Sequence, residues 1–226
     1  MLTALALGLL VLAADAATAQ TRRRPAARKP KPAPVVKPRV EPAKVTCPES
    51  LGTGVKTGAA YCFVLAGRDP AQGVLVAIPP HTGPATLRFN LHNRHTYSEE
   101  QMRAGRGFAS YTAVIGVLTP KADLLDRAAV QTEFRSVRDI HERISGGAGP
   151  AGVKAVAPVG SEPISVTIPA GIDQVSLLGE VLDATTAAGR EAASPGRPVA
   201  IVSNVMVEYR PPRAGRRPPA RRPARK

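Results

Sequence analysis

Residues 85–93, ATLRFNLHN, alternate apolar and polar side chains: Leu87, Phe89 and Leu91 fall between Arg88, Asn90 and His92. A period of two belongs to a β-strand, where successive side chains leave on opposite faces. This stretch therefore reads as a strand with one face in a core and with Arg88, Asn90 and His92 on the solvent side. AVQTEFR repeats the pattern, setting Val130, Thr132 and Phe134 against Gln131, Glu133 and Arg135. PISVTIPAG does so again, with Ile164, Val166 and Ile168 against Ser165 and Thr167. AYCFVLAG, GVLVAIPP, YTAVIGVL, QVSLLGEVL and VAIVSNVMVEY are apolar on both faces. Such runs suit central strands covered on both sides.

Turn formers separate the runs at Gly67-Arg68-Asp69-Pro70, Pro79-Pro80, Pro120-Lys121-Ala122-Asp123 and Pro195-Gly196. About eight or nine short strands with such punctuation predict a mainly β fold, a single β-sandwich with a jelly-roll arrangement open to it. One or two short helices are expected beside it. Ser98-Glu99-Glu100-Gln101 has the pattern of a capping box, stopped by Gly105. Ser136-Val137-Arg138-Asp139 opens a second candidate, with Val137, Ile140, His141 and Ile144 on one helical face and Gly146 ending it.

Gly147, Gly149 and Gly152 spell G-x-G-x-x-G, the spacing of dinucleotide-binding loops. That loop works only between a strand and a helix whose N-terminus faces the pyrophosphate. Here the preceding segment reads as a helix, and VKAVAP after the glycines reads as extended, with Pro158 opposing a helix. The glycines are read as a link from a helix C-cap into a strand, and no dinucleotide or other cofactor is expected. The second glycine-rich stretch, Gly52 to Gly58, lacks the spacing and the Gly-Lys-Ser/Thr ending of a phosphate loop.

The charge is unevenly placed. Of 31 Lys and Arg, nine lie in Arg22–Lys44 and eight in Arg210–Lys226. Residues 45–209 keep fourteen basic and fifteen acidic side chains, a net charge of −1, so the overall +14 belongs to the two ends. Both ends are made of Pro, Ala and basic residues with little to bury, a composition that predicts disordered, extended segments. The division expected is a signal peptide at 1–19, a basic Pro-rich linker at 20–44, the β-sandwich at 45–210 and a basic tail at 211–226. The apolar run Leu2–Ala14 and the Ala17-Thr18-Ala19 cleavage pattern carry the first assignment. The run falls short of the about 20 apolar residues of a membrane span. Export to the periplasm or beyond follows from that assignment.

For an exported chain, clustered cations at Arg22, Arg23, Arg24, Arg28, Lys29, Arg213, Arg216, Arg217, Arg221 and Arg222 point to anionic envelope polymers or a lipid surface. The plainer reading is a solubilising spacer. A domain without a basic surplus of its own gives no sign of specific nucleic-acid binding.

The two cysteines, Cys47 and Cys62, are expected to pair in an oxidising compartment. A loop of that length contributes roughly 3 kcal/mol through the unfolded chain. Three of the four histidines, His81, His92 and His95, fall close together. On a strand His92 and His95 diverge, so only a bend after Asn93 brings them together, with Glu99 or Glu100 as a third metal ligand. The competing reading is a polar strand end, and no catalytic residue is assigned. Tyr97 and Phe108 are the candidate exposed aromatics for sugar binding, and the chain has no Trp. The functional expectation is a non-enzymatic envelope-associated binding or structural protein. A carbohydrate-binding module is the alternative, and a metal-dependent hydrolase using His92 and His95 ranks third.

Overall fold

A computed structural model describes residues 36–97, 100, 103–104, 108–133, 140–145, 154–158, 161–186 and 189–212. The strands are β1 (Arg39–Pro42), β2 (Lys44–Thr46), β3 (Ser50–Gly54), β4 (Ala60–Leu65), β5 (Val74–Ala77), β6 (Ala85–Asn93), β7 (His95–Tyr97) and β8 (Phe108–Leu118). They continue with β9 (Leu124–Thr132), β10 (Ile140–Ser145), β11 (Lys154–Pro158), β12 (Glu162–Ile168), β13 (Gln174–Thr186), β14 (Gly189–Ala192) and β15 (Pro198–Tyr209). A 3-10 turn at Pro70–Gln72 is capped by the Asp69 side chain, which accepts from the Ala71 amide.

The larger sheet runs β12-β6-β15-β4-β3-β10-β11-β7, with β1 also paired to β15. The smaller runs β2-β5-β13-β8-β9, with β14 beside β13. Neighbouring strands are antiparallel, and an isolated parallel bridge joins Ala66 to Gly179. The two sheets pack as a sandwich. Leu87, Phe89 and Leu91 of β6, Val64 of β4 and Val202 and Val207 of β15 meet Val76, Ile115, Val117, Val130, Val175 and Leu177 of the other sheet. Alternation puts them there: Arg88 lies exposed between two buried neighbours, and Val166 and Ile168 are buried while Ser165 and Thr167 are exposed.

The disulfide Cys47–Cys62 is formed, with the Cα atoms 5.3 Å apart. Cys47 follows β2 of the smaller sheet and Cys62 lies in β4 of the larger, so the bond ties the two layers together.

Three sequence expectations are corrected. Ile140–Ser145 is a strand and not the end of a helix. Its residues pair with β11 from Ile140 to Arg143 and with β3 at Ile144 and Ser145. β-Branched Ile140 and Ile144 favour that outcome, and ladder bonds on two sides outweigh a short amphipathic pattern. The ladder also starts at Arg39, inside the stretch expected to be a linker, because β1 pairs residue for residue with Met206–Tyr209. Finally, His92 is only 2 % exposed and not on a solvent face.

The cause of that burial is topological. β6 passes through Arg94 straight into β7, and β7 pairs with β11, which pairs with β10, which pairs with β3. β11 thereby comes back close to β6. A second cluster of Leu51, Tyr61 and Ile201, with Ala59 and Phe63 against it, fills the outer face there. The capping-box residues Ser98, Glu99 and Gln101 and the glycines 147, 149 and 152 lie outside the described residues. Of that first candidate helix, Glu100 accepts from the Ala104 amide at 3.0 Å.

Candidate functional site

His92 stands opposite Ile201 across the β6–β15 ladder. Its Nε2 hydrogen-bonds Ser203 Oγ at 2.9 Å, and its ring centroid lies 5.4 Å from that of Tyr61. A histidine bonded to a serine is the beginning of a nucleophilic pair. Ser203 is only 3 % exposed, however, and a nucleophile must meet its substrate. The pair is a polar link inside the second core. His95 and Tyr97 stand in β7, opposite Val156 and Lys154. β6 ends at Asn93 and β7 starts at His95 on a different partner strand. Glu99 lies outside the described residues. Among the described residues no three His, Cys, Asp or Glu side chains gather as metal ligands.

The β6–β7 junction is held by polar groups. The Tyr111 hydroxyl donates to the Val199 carbonyl and accepts from the Arg94 amide at 3.0 Å. The Arg94 guanidinium pairs with Glu191. Asn93, with no exposed surface, donates through Nδ2 to Thr132 Oγ1 at 2.5 Å. Burial pushes the Tyr111 phenol well above its ordinary range, opposed by the Arg94 amide and its charge and assisted by Glu191. These contacts join β6, β8, β9 and β15 around one point.

An open groove of about 460 Å³ lies elsewhere, on the outer face of the smaller sheet. Leu118 and Leu178 form its floor, with Arg68, Glu180 and Pro195 on its sides. No aromatic side chain lines it, so it offers no stacking platform for a sugar ring. Val181 and Leu124 on the same sheet are 45 % and 39 % exposed. β8 and β13 were read as strands covered on both sides, but their outer face carries these exposed apolar groups. The apolar runs YTAVIGVL and QVSLLGEVL held the signal for this surface.

The third feature is where the chain ends meet the fold. β1 runs antiparallel to the last residues of β15, with Arg39 opposite Tyr209 and Pro42 opposite Met206. Tyr209 Oη donates to the Glu41 carboxylate at 3.0 Å. The Arg210 carbonyl accepts from the Thr82 amide at 2.8 Å and from its hydroxyl at 3.4 Å. Lys37, Arg39 and Arg210 are exposed at this pole. The cations singled out by composition, Arg22 to Lys29 and Arg213 to Arg222, lie outside the described residues. The sequence reading missed Arg39 and Arg210 as members of one surface, because they are 171 positions apart. No protein-family model, curated protein or solved structure matches the chain.

Proposed function

We propose that the protein is an exported, non-enzymatic module of the cell envelope, whose basic ends contact anionic envelope polymers or lipid surfaces. The observation that carries this reading is the partition of charge. The sandwich segment 45–209 has a net charge of −1, and 17 of the 31 basic side chains lie in the two terminal stretches. Electrostatic attraction to a polyanion therefore belongs to the ends, and the sandwich is their carrier. The Cys47–Cys62 bond suits an oxidising compartment. No helix among the described residues is long and apolar enough to cross a membrane.

The test is titration of the whole chain, and of a variant with the terminal Lys and Arg replaced by Gln, against anionic vesicles and an acidic glycan at low and high salt. The whole chain should bind and weaken steeply as salt rises, because each neutralised anion releases counterions. The neutralised variant should lose nearly all affinity. Equal binding by the two would place the function on the sandwich surface and end this reading.

A further inference from the structure

The groove on the outer face of the smaller sheet sets an uncommitted cation beside an apolar floor. Ala66 bridges Gly179 in the gap along β13 between β5, which pairs with residues 174–177, and β14, which pairs with residues 183–186. The chain leaving that bridge brings Arg68 to the side of the groove, where it is exposed. Among the described residues no carboxylate pairs with it. The adjacent Asp69 is occupied in capping the 3-10 turn, and Glu180 on the groove wall is held by Arg127 at 2.7 Å. Ser194 adds a hydroxyl to the lining.

The floor has a definite end. Leu118, Gly116 and Val114 follow one another on the outer face of β8, with Leu178 opposite Gly116 and Val181 opposite Val114. A Cβ at Gly116 would stand 2.8 Å from Glu180 Oε1 and 3.2 Å from Leu124 Cδ1, so that carboxylate and that methyl lie over the glycine. The Arg127–Glu180 pair therefore separates the groove from the exposed Val181 beyond it.

We propose that this groove binds a short straight-chain aliphatic carboxylate. Its head group lies on Arg68 and Ser194, and its tail lies on Leu118 and Leu178 and stops at the Arg127–Glu180 pair. A guanidinium presents paired N–H donors that match the two oxygens of a carboxylate. The leucine floor favours methylenes that leave water, and the groove volume of about 460 Å³ is that of a small-ligand site. The site uses no residue of the basic ends, so its test is independent of theirs.

The experiment is calorimetric titration of the full chain with straight-chain carboxylates from butanoate to dodecanoate, beside acetate, octanol and octylammonium. Affinity should rise with chain length and level off where the tail meets the Arg127–Glu180 pair. Acetate, octanol and octylammonium should each bind about tenfold or more weakly than octanoate, lacking either the tail or the anion. Arg68→Gln removes an exposed side chain without an ion pair, so the fold should persist while octanoate affinity falls about tenfold or more. Replacing Glu180 and Arg127 together by Ala should move the plateau to longer chains. Each added methylene should then raise affinity about fourfold where in the parent it added nothing. Octanol or octylammonium binding as well as octanoate would overturn the carboxylate assignment, and parental affinity in Arg68→Gln would overturn the role of that residue. An unmoved plateau in the double variant would overturn the end wall. Absence of saturable binding at every chain length would overturn the site itself.

Discussion

Gly179 shows how a single side-chain-free position lets two sheets touch. Its carbonyl accepts from the Gly67 amide at 3.3 Å, and it bridges Ala66 of the other layer. A Cβ added there would stand 2.2 Å from a Val199 methyl and 3.3 Å from the Ala66 Cα. Gly179→Ala should therefore destabilise the protein by about 1–3 kcal/mol, the usual cost of overpacking a filled core. Adding Val199→Ala should recover part of the loss, and a denaturant series on the two single variants and the double reads that coupling. Strictly additive losses would mean that the methyl contact is not the cause. Tyr111 makes a different residue-scale prediction. Its buried phenol is held neutral well above the ordinary phenol range, by burial first and with Glu191 assisting. Above about pH 10 the unfolded chain gives up this proton while the fold retains it. The stability contributed by Tyr111 is full below that pH and is lost as pH rises further. Tyr111→Phe should cost about 1–3 kcal/mol at neutral pH by leaving the Val199 carbonyl and Arg94 amide without their partner. It should also flatten the alkaline fall in melting temperature, and an unchanged slope would refute the assignment.

At the scale of elements, one sequence pattern had two outcomes. AYCFVLAG and VAIVSNVMVEY became β4 and β15, whose outer faces are covered by the second core around Tyr61 and Ile201. YTAVIGVL and QVSLLGEVL became β8 and β13, whose outer face leaves Val181 exposed. The local patterns are alike, and the difference is that a second cluster of buried side chains gathers on the outer face of one sheet. For the same reason His92 was misread: its alternation was correct, but the cover on its face comes from residues far along the chain. Ile140–Ser145 was misread because a six-residue apolar pattern fits a helix or a strand until its partners are known. The disulfide was legible, since two cysteines allow one pairing. Its placement between layers was not. Cys47→Ser should lower stability by roughly 3 kcal/mol on the loop-entropy account, and polyanion affinity should not change, because the bond lies within the sandwich. A loss of affinity on a still-folded variant would contradict that separation.

For the whole molecule, the links between the sheets predict cooperative unfolding. The Cys47–Cys62 bond, the Gly179 contact and the Tyr111–Val199 hydrogen bond all join one layer to the other. Urea unfolding followed by far-ultraviolet circular dichroism and by tyrosine fluorescence should give coincident single transitions. Tyr61 sits in the second core, Tyr97 in β7, Tyr111 between the sheets and Tyr209 at the β1 pairing, so the fluorescence of the four tyrosines samples four places. Separate midpoints would show that the second core melts by itself. The basic ends were legible in composition alone, because charge and proline content need no partner to be read. The pairing of Arg39 with Tyr209 was not, because the partners stand almost the whole chain apart. By itself, the sequence determined the class of fold, the inward faces of β6, β9 and β12, the cysteine pair and the partition of charge. Each of these follows from neighbouring residues or from counting. Only the tertiary structure decided the pairing of β7 with β11, the burial of His92, the strand at Ile140–Ser145 and the pairing of Arg39 with Tyr209. Each of those is fixed by hydrogen-bonded partners distant in sequence, whose choice is a property of the packed whole.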